Sequence, residues 1–394
     1  MISCDTGEIV EWLVNGARSA RQPQDVLAEL CGRLVCSGIP LGRTTVFVRT
    51  LHPDVMGRRF LWRPGSNVMV SEFPFESLDA SEFKNSPEAR VCETGVALRL
   101  RLEDPYCRFD PAILRDLHAD GTTDFLATPL VFSNGELHVA TWTTQQAGGF
   151  TGAQIIGLEA IVAPLSRVAE VHALRRTAAN LLDTYVGHGS GERILAGRVR
   201  RGHTEVLHAA IWLSDMRGFT VYADQLPPQT LVDLLNRYFE CQVPAITRRG
   251  GEVLKFMGDG LLAVFPVPRG DGSARAVCRD ALSAAREART QVAAIASSTE
   301  FANLEAVRFG LALHIGDVLY GNIGADNRLD FTCIGPAINL AARLEALTGK
   351  LRRVILTSAE FARHCDAELI PVGEFALAGF GKPELVFGVR DETP

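Results

Sequence analysis

Residues 252–265 read EVLKFMGDGLLAVF. Two apolar runs flank Gly258-Asp259-Gly260, which reads as a tight hairpin with Asp259 at its tip. Upstream, VLHAAIWLSD (206–215) is a nearly continuous apolar run, the pattern of a buried strand, and it ends on Asp215. Between the two, a helix opens on Pro227 and Pro228, where a missing N–H costs nothing, and continues through LVDLLNRYFECQVPAI. Downstream, an alanine-rich helix over about 273–298 leads to RFGLALHIGDVLYGNIG (308–324). That segment reads as two more strands, and Pro336 to Leu347 as a helix.

The element order is β-α-β-β-α-β, the ferredoxin-like motif of an α+β fold. In that topology the first strand and the central hairpin are neighbours in one sheet. Asp215, at a strand end, and Asp259, at a hairpin tip, are therefore expected to converge. Two convergent carboxylates are the hard oxygen donors that hold magnesium or manganese for phosphoryl transfer. Taken singly, each aspartate is more often a turn residue or a helix cap than a metal ligand.

Bulk properties are those of an ordinary globular protein. The chain has 394 residues, enough for two domains, with 47% hydrophobic and 22% charged residues. A net charge of −6 argues against bulk electrostatic binding of nucleic acid or of an anionic membrane. The nine cysteines are scattered and odd in number, which fits reduced thiols rather than a disulfide framework or a zinc site. Cys31 and Cys36 are expected on a buried helix face. MISCDTGEIVEW lacks the blocks of a signal peptide, and no run of 18 apolar residues is present, so the expected setting is the cytoplasm without a membrane span.

The first half reads as mixed α and β. Residues 8–35 carry apolar positions at helical spacing, and TTVFVRTL (44–51) alternates like a strand. FLATPLVFSNGELHVATWTT (125–144) is two strands around Asn134-Gly135. A long helix follows, with Thr151 as its N-cap, Pro164 as an expected kink, and an apolar seam from about Leu158 to Tyr185. Residues 187–204 (GHGSGERILAGRVRRGHT) are Gly- and Arg-rich and form the best linker candidate. The hairpin, the F-T-x-x-Q helix start and the long exit helix resemble the end of a GAF domain, a small-molecule sensor and dimerisation module. The resemblance spans roughly 20–175 and is sharp only over 125–165. The residue signature of cyclic-nucleotide-binding GAF domains is absent, and another α+β sensor of similar size fits the same pattern. The expected organisation is a GAF-like domain over 1–160, a helical dimerisation or transducer linker over 161–204, and a catalytic domain over 205–390.

The second half carries a sharper resemblance. LSDMRGFT (213–220), Lys255 to Phe265, Arg308 to Gly324 and Gly335 to Glu345 stand in the order and spacing of the class III nucleotidyl cyclase motifs. Membership implies a two-metal cyclisation of a nucleoside triphosphate, with two Mg²⁺ or Mn²⁺ ions per site. It assigns metal binding to Asp215, Met216 and Asp259, and triphosphate contact to Gly218, Phe219 and Thr220 at a helix start. Asn339 and Arg343, four apart on one helix face, match the ribose-orienting and phosphate-stabilising residues. Arg308 resembles a phosphate-binding arginine of the family.

Base choice rests on Lys255 and Thr332. Lys255 matches the purine-recognising lysine of adenylyl cyclases, where guanylyl cyclases usually carry Glu. Thr332 matches an adenylyl-cyclase subgroup in which a hydroxyl replaces Asp. The pair favours ATP over GTP; a guanylate cyclase and a catalytically silent nucleotide-binding module are the rival readings. One position departs: in LAGFGKPELVFGV, Ala378 stands where the family often places a triphosphate-gripping Lys or Arg, and Lys382 lies four residues later. In the family the metal aspartates come from one subunit and the Lys, Thr, Asn and Arg from the other, which implies a homodimer. The 158–185 seam suits a parallel dimer helix or a stripe packed on the first domain. That first domain is expected to take a small-molecule ligand.

Overall fold

Strand formation in the first half follows from runs that are apolar on both faces. The computed structural model describes residues 5–50, 55–75, 85–104, 106–107, 112–268, 273–297, 301, 304, 306–325, 328–365 and 368–392. The chain forms two units, Met1–Leu181 and Leu182–Pro394.

The first unit contains α1 (Gly7–Val14), α2 (Pro23–Cys36), β1 (Arg43–Arg49), β2 (Val55–Trp62), β3 (Met69–Pro74), α3 (Pro87–Thr94) and β4 (Leu98–Arg101). Then come α4 (Ala112–Ala119), β5 (Asp124–Val131), β6 (Leu137–Thr144) and the start of α5 (Gly152–Val186). The strands form one antiparallel sheet in the order β3-β2-β1-β6-β5-β4. Val46 and Val48 of β1 face a core shared with α1, α2 and α5, while Phe47 faces the opposite core with α3 and α4. Pro129 sits in β5 beyond Ala127, where pairing with β4 stops, so its missing N–H breaks no ladder there.

The 8–35 periodicity resolves into two helices broken at Asn15-Gly16, with Gly16 at φ 81°. Only Cys31 is buried; Cys36 is exposed, because five residues carry it 140° round the helix from Cys31. Thr151 does cap α5: Gln154 N–H donates to its hydroxyl at 3.3 Å, and Thr151 N–H donates to the Gln154 side chain at 2.9 Å, a reciprocal capping box. The helix runs unbroken through Pro164. Its seam divides into two parts. Leu158, Ile161, Leu165 and Val168 are buried in the first unit's core, whereas Val171, Leu174 and Tyr185 are exposed. By length and hydropathy α5 could cross a bilayer, but nine of its residues are buried within the protein.

The second unit contains α6 (His188–Leu195), β7 (Thr204–Arg217), α7 (Phe219–Gln225), α8 (Pro228–Glu240), α9 (Val243–Thr247), β8 (Glu252–Met257), β9 (Gly260–Pro266) and α10 (Ser273–Ala293). It continues with β10 (Arg308–Ala325), β11 (Arg328–Ile334), α11 (Pro336–Leu351), β12 (Ile355–Ser358), α12 (Ala359–Ala362), β13 (Leu369–Phe375) and β14 (Glu384–Val389). The sheet order is β13-β14-β12-β10-β7-β9-β8, with β11 paired to β10. Strand β7 is central. Its Ala210, Trp212 and Met216 join a core with Leu234, Tyr238 and Ala285, and its Ala209 and Ile211 join another with Ala337 and Ala341 of α11.

Two expectations change here. Residues 308–325 are one strand of 18 residues rather than two, paired to β7 from Arg308 to Gly321. Gly316 and Gly321 lie inside it; a side chain at Gly321 would collide with the His203 carbonyl. The hairpin partner is β11, which carries Thr332. Residues 188–195 of the expected linker form α6, held against β8 and β10. Ser190 N–H donates to Glu252 at 2.9 Å, and the Tyr320 hydroxyl donates to Glu252 at 2.8 Å while lying 2.9 Å from the Ser190 hydroxyl. A Cβ on Gly189 would lie 2.5 Å from the Glu252 carboxylate, so the glycines there permit close packing rather than looseness.

Candidate active site

Asp215 lies near the end of β7, in register with Gly260 at the start of β9. The Gly258-Asp259 turn folds back to that point, and Gly258 takes the left-handed φ of 67° that the turn requires. The two carboxylates converge: burial first, then the neighbouring Asp259 charge, hold Asp215 above the ordinary aspartate range. Among the described residues no third His, Cys, Asp or Glu completes an all-protein metal cage. Two convergent carboxylates suit a hard divalent ion whose other positions are filled by water and substrate oxygens. The Met216 side chain is buried in the core, which leaves only its carbonyl for a metal.

Gly218 adopts φ 75° and starts α7 without a side-chain cap. Its geometry turns the chain from strand to helix and leaves the Phe219 and Thr220 N–H groups at a helix start. Arg308 is exposed and pairs in register with Arg217, at the same end of the sheet as Asp215.

Lys255 and Thr332, the residues expected to read the base, share another edge. Lys255 on β8 donates to Asp330 of β11 at 2.6 Å. The Lys255 ammonium holds Asp330 below the ordinary carboxylate range. Thr332 is two residues on, so it shares a strand face with Asp330. Asn339 and Arg343 lie on the exposed side of α11, opposite the buried Leu340, Ala341 and Leu344. No hydrogen bond or ion pair among the described residues joins Lys255, Asn339 or Arg343 to the aspartate pair. Ala378 and Lys382 are exposed in the β13–β14 connection.

Sequence reading missed a cluster beside the aspartates. Arg217 donates to the Glu345 carbonyl at 2.9 Å and also meets the Glu345 carboxylate and the Thr348 hydroxyl. Burial pushes Glu345 up to about 6 against the pull of Arg217, and Asp215 and Asp259 add to the rise. The cluster ties β7 to α11. Its only sequence signal is that Arg217 and Glu345 lie inside the quoted motifs. Asp330 was missed too, because no local pattern pairs it with Lys255.

Residues 203–387 match the family model described as the adenylate and guanylate cyclase catalytic domain. A solved bacterial light-regulated adenylyl cyclase is 30% identical over 47% of this chain and 91% of its own, with a TM-score of 0.39. The second unit belongs to the class III adenylyl and guanylyl cyclase catalytic domains. An adenylate cyclase of Anabaena cylindrica is 29% identical over 41% of the chain. The terminal-differentiation-specific adenylate cyclase of Dictyostelium discoideum is 33% identical over 37% of it. The chain spans 32% and 7% of these two relatives' own lengths.

Within the cyclase domain, the histidine of the HxG stretch has a structural part. His314 Nδ1 lies 2.7 Å from the Ser358 hydroxyl, which also caps α12. Burial pulls His314 down to about 4 from an ordinary 6.5, so it folds neutral. Between those values the unfolded chain binds more protons than the folded one. Stability is therefore fully present above 6.5 and falls as pH drops toward 4, by about 3 kcal/mol at most. His314→Gln is expected to flatten the fall of the urea midpoint between pH 7 and pH 4.5. An unchanged slope would assign the acid sensitivity elsewhere.

Proposed function

We propose that the chain is an adenylate cyclase, converting ATP to 3′,5′-cyclic AMP and pyrophosphate at sites shared between two copies. The convergence of Asp215 and Asp259 carries the reading. When bound there, Mg²⁺ or Mn²⁺ ions supply Lewis-acid activation of the ribose 3′-hydroxyl and neutralise triphosphate charge. The 3′-oxygen forms a bond to the α-phosphorus, the bond to the bridging β-oxygen breaks, pyrophosphate leaves, and the 3′-hydroxyl proton passes to water. Arg343 donates its planar fork to the α-phosphate oxygens as charge develops, and Asn339 orients the ribose. The α7 N–H groups of Phe219 and Thr220 meet the terminal phosphates, and Arg308 supplies the triphosphate with the cation that Ala378 lacks.

The Lys255 ammonium donates to a purine ring nitrogen, and the Thr332 hydroxyl accepts from the adenine amino group. The exposed positions of Asn339 and Arg343, apart from any contact with the aspartates, support completion of the site by a second copy. The exposed Val171, Leu174 and Tyr185 support α5 as part of that interface. We assign β10-β7-β9-β8 to a ferredoxin-like core, and the first unit to a GAF-like sensor.

The test supplies purified chain and Mg²⁺ or Mn²⁺ with ATP or GTP and measures cyclic product and pyrophosphate. Cyclic AMP and pyrophosphate in equal amounts are expected, with GTP a poor substrate. Lys255→Glu combined with Thr332→Cys should move the preference toward GTP. An unchanged ATP preference would remove both residues from base recognition, and no product from either nucleotide would end the enzyme reading.

A further inference from the structure

The first unit holds a cavity of about 590 Å³ between strands β1–β3 of its sheet, α2 and α5. This is within the size range of small-molecule sites. Its floor is apolar: Val46 and Val48 of β1, Phe60 of β2, Leu27 of α2, and Leu165 and Val168 of α5 are all buried. The strand register sets this floor, because Val46 is paired with Phe60 and both point to the α2–α5 face. The opposite sheet face, covered by α3 and α4, does not contribute.

The rim has the reverse character. Arg21, Arg58, His172, Arg175 and Arg176 line it, and among the described residues no Asp or Glu does. Arg58 pairs with Glu72. Among the described residues, Arg21, Arg175 and Arg176 have no carboxylate partner. Burial and the Arg175 charge hold His172 below its ordinary range, as expected where positive charge is left uncompensated. A neighbouring hollow adds Arg18 to the same field. Guanidinium groups are the side chains that grip carboxylate or phosphate oxygens, and an apolar floor rewards a hydrocarbon body.

The geometry points to a binding site for an amphipathic anion: a carboxylate or phosphate head at Arg21, Arg175 and Arg176, with an apolar body against Phe60 and Leu165. A neutral apolar molecule would leave the arginines unused, and a small inorganic anion would leave the floor unfilled. This goes beyond the catalytic reading and stands whether or not the second unit turns over.

Calorimetric titration of the full chain with decanoate, decyl phosphate and 1-decanol, all below their aggregation limits, tests it. One equivalent of decanoate or decyl phosphate per chain is expected to bind saturably, at least about tenfold more tightly than decanol. The tighter of the two anions identifies the head group. Arg175→Ser with Arg176→Ser, on the exposed side of α5, should weaken anion binding by at least about tenfold and leave decanol binding unchanged. Ala169→Trp, which fills the cavity from its wall, should abolish all three. Equal binding of decanol and decanoate, unchanged anion binding in the arginine variant, or no saturable binding would overturn the proposal.

Discussion

Asp215→Ala is expected to lower the rate of cyclic-nucleotide formation by at least about a thousandfold, while the protein keeps its thermal stability. The two halves of this result have one cause. Asp215 is held above the ordinary aspartate range by burial and by Asp259, so its ionised form is a strained presence in the fold without a cation. Removing it relieves Asp259 of a like charge and deletes half of the carboxylate pair at the sheet end. A variant that lost activity by losing its fold would show a lower melting temperature; this one should match or exceed the parent. Initial rates with ATP and Mn²⁺, beside thermal unfolding curves, give both readouts. Retention of more than a tenth of the parent rate would remove Asp215 from the metal site.

Gly310→Ala is the second large effect, and it acts through packing. Gly310 of β10 lies opposite Asp215 in register. A Cβ there would collide with the Thr348 hydroxyl and the Arg217 guanidinium and sit 2.7 Å from the Glu345 carboxylate. All three groups belong to the cluster that joins β7 to α11, so none can give way without breaking a buried polar contact. Overpacking alone costs about 1–3 kcal/mol, and displacing Arg217 from a largely buried Glu345 adds to it. The unfolding midpoint should therefore fall by several degrees. Activity should fall further than the lost folded fraction accounts for, because α11 carries Asn339 and Arg343. A parent-like melting curve would mean that the strand can shift to admit the methyl group.

Much of the catalytic half was legible because its signals are local. Apolar runs ending on Asp215, the Gly258-Asp259-Gly260 turn and the Pro227-Pro228 helix start each specify their own geometry over a few residues. The misreadings came where meaning depends on distant chain. Gly316 and Gly321 look like turn residues, yet Gly321 lets β10 run past the start of β7 without a clash and Gly316 leaves room for Ala337 of α11. The glycines of 187–191 look like a linker, yet Gly187 and Gly189 let α6 settle on Glu252 and Val253. The Lys255–Asp330 pair and the Arg217–Glu345–Thr348 cluster join residues far apart along the chain, and no spacing within either partner's segment announces the contact. In the first half the hairpin and the α5 cap were plain. The divided seam of α5 was not, since the same apolar spacing serves a buried stripe through Val168 and an exposed one beginning at Val171.

Mixing two inactive variants tests the shared site most directly. In the proposed site, Asp215→Ala removes the metal side and Arg343→Ala the phosphate side. In an equal mixture half of the dimers are mixed, and each mixed dimer keeps one intact site of two. The account predicts a return to about a quarter of the parent rate, from two proteins each inactive alone. Confirmed mixed dimers that form no cyclic AMP would contradict it.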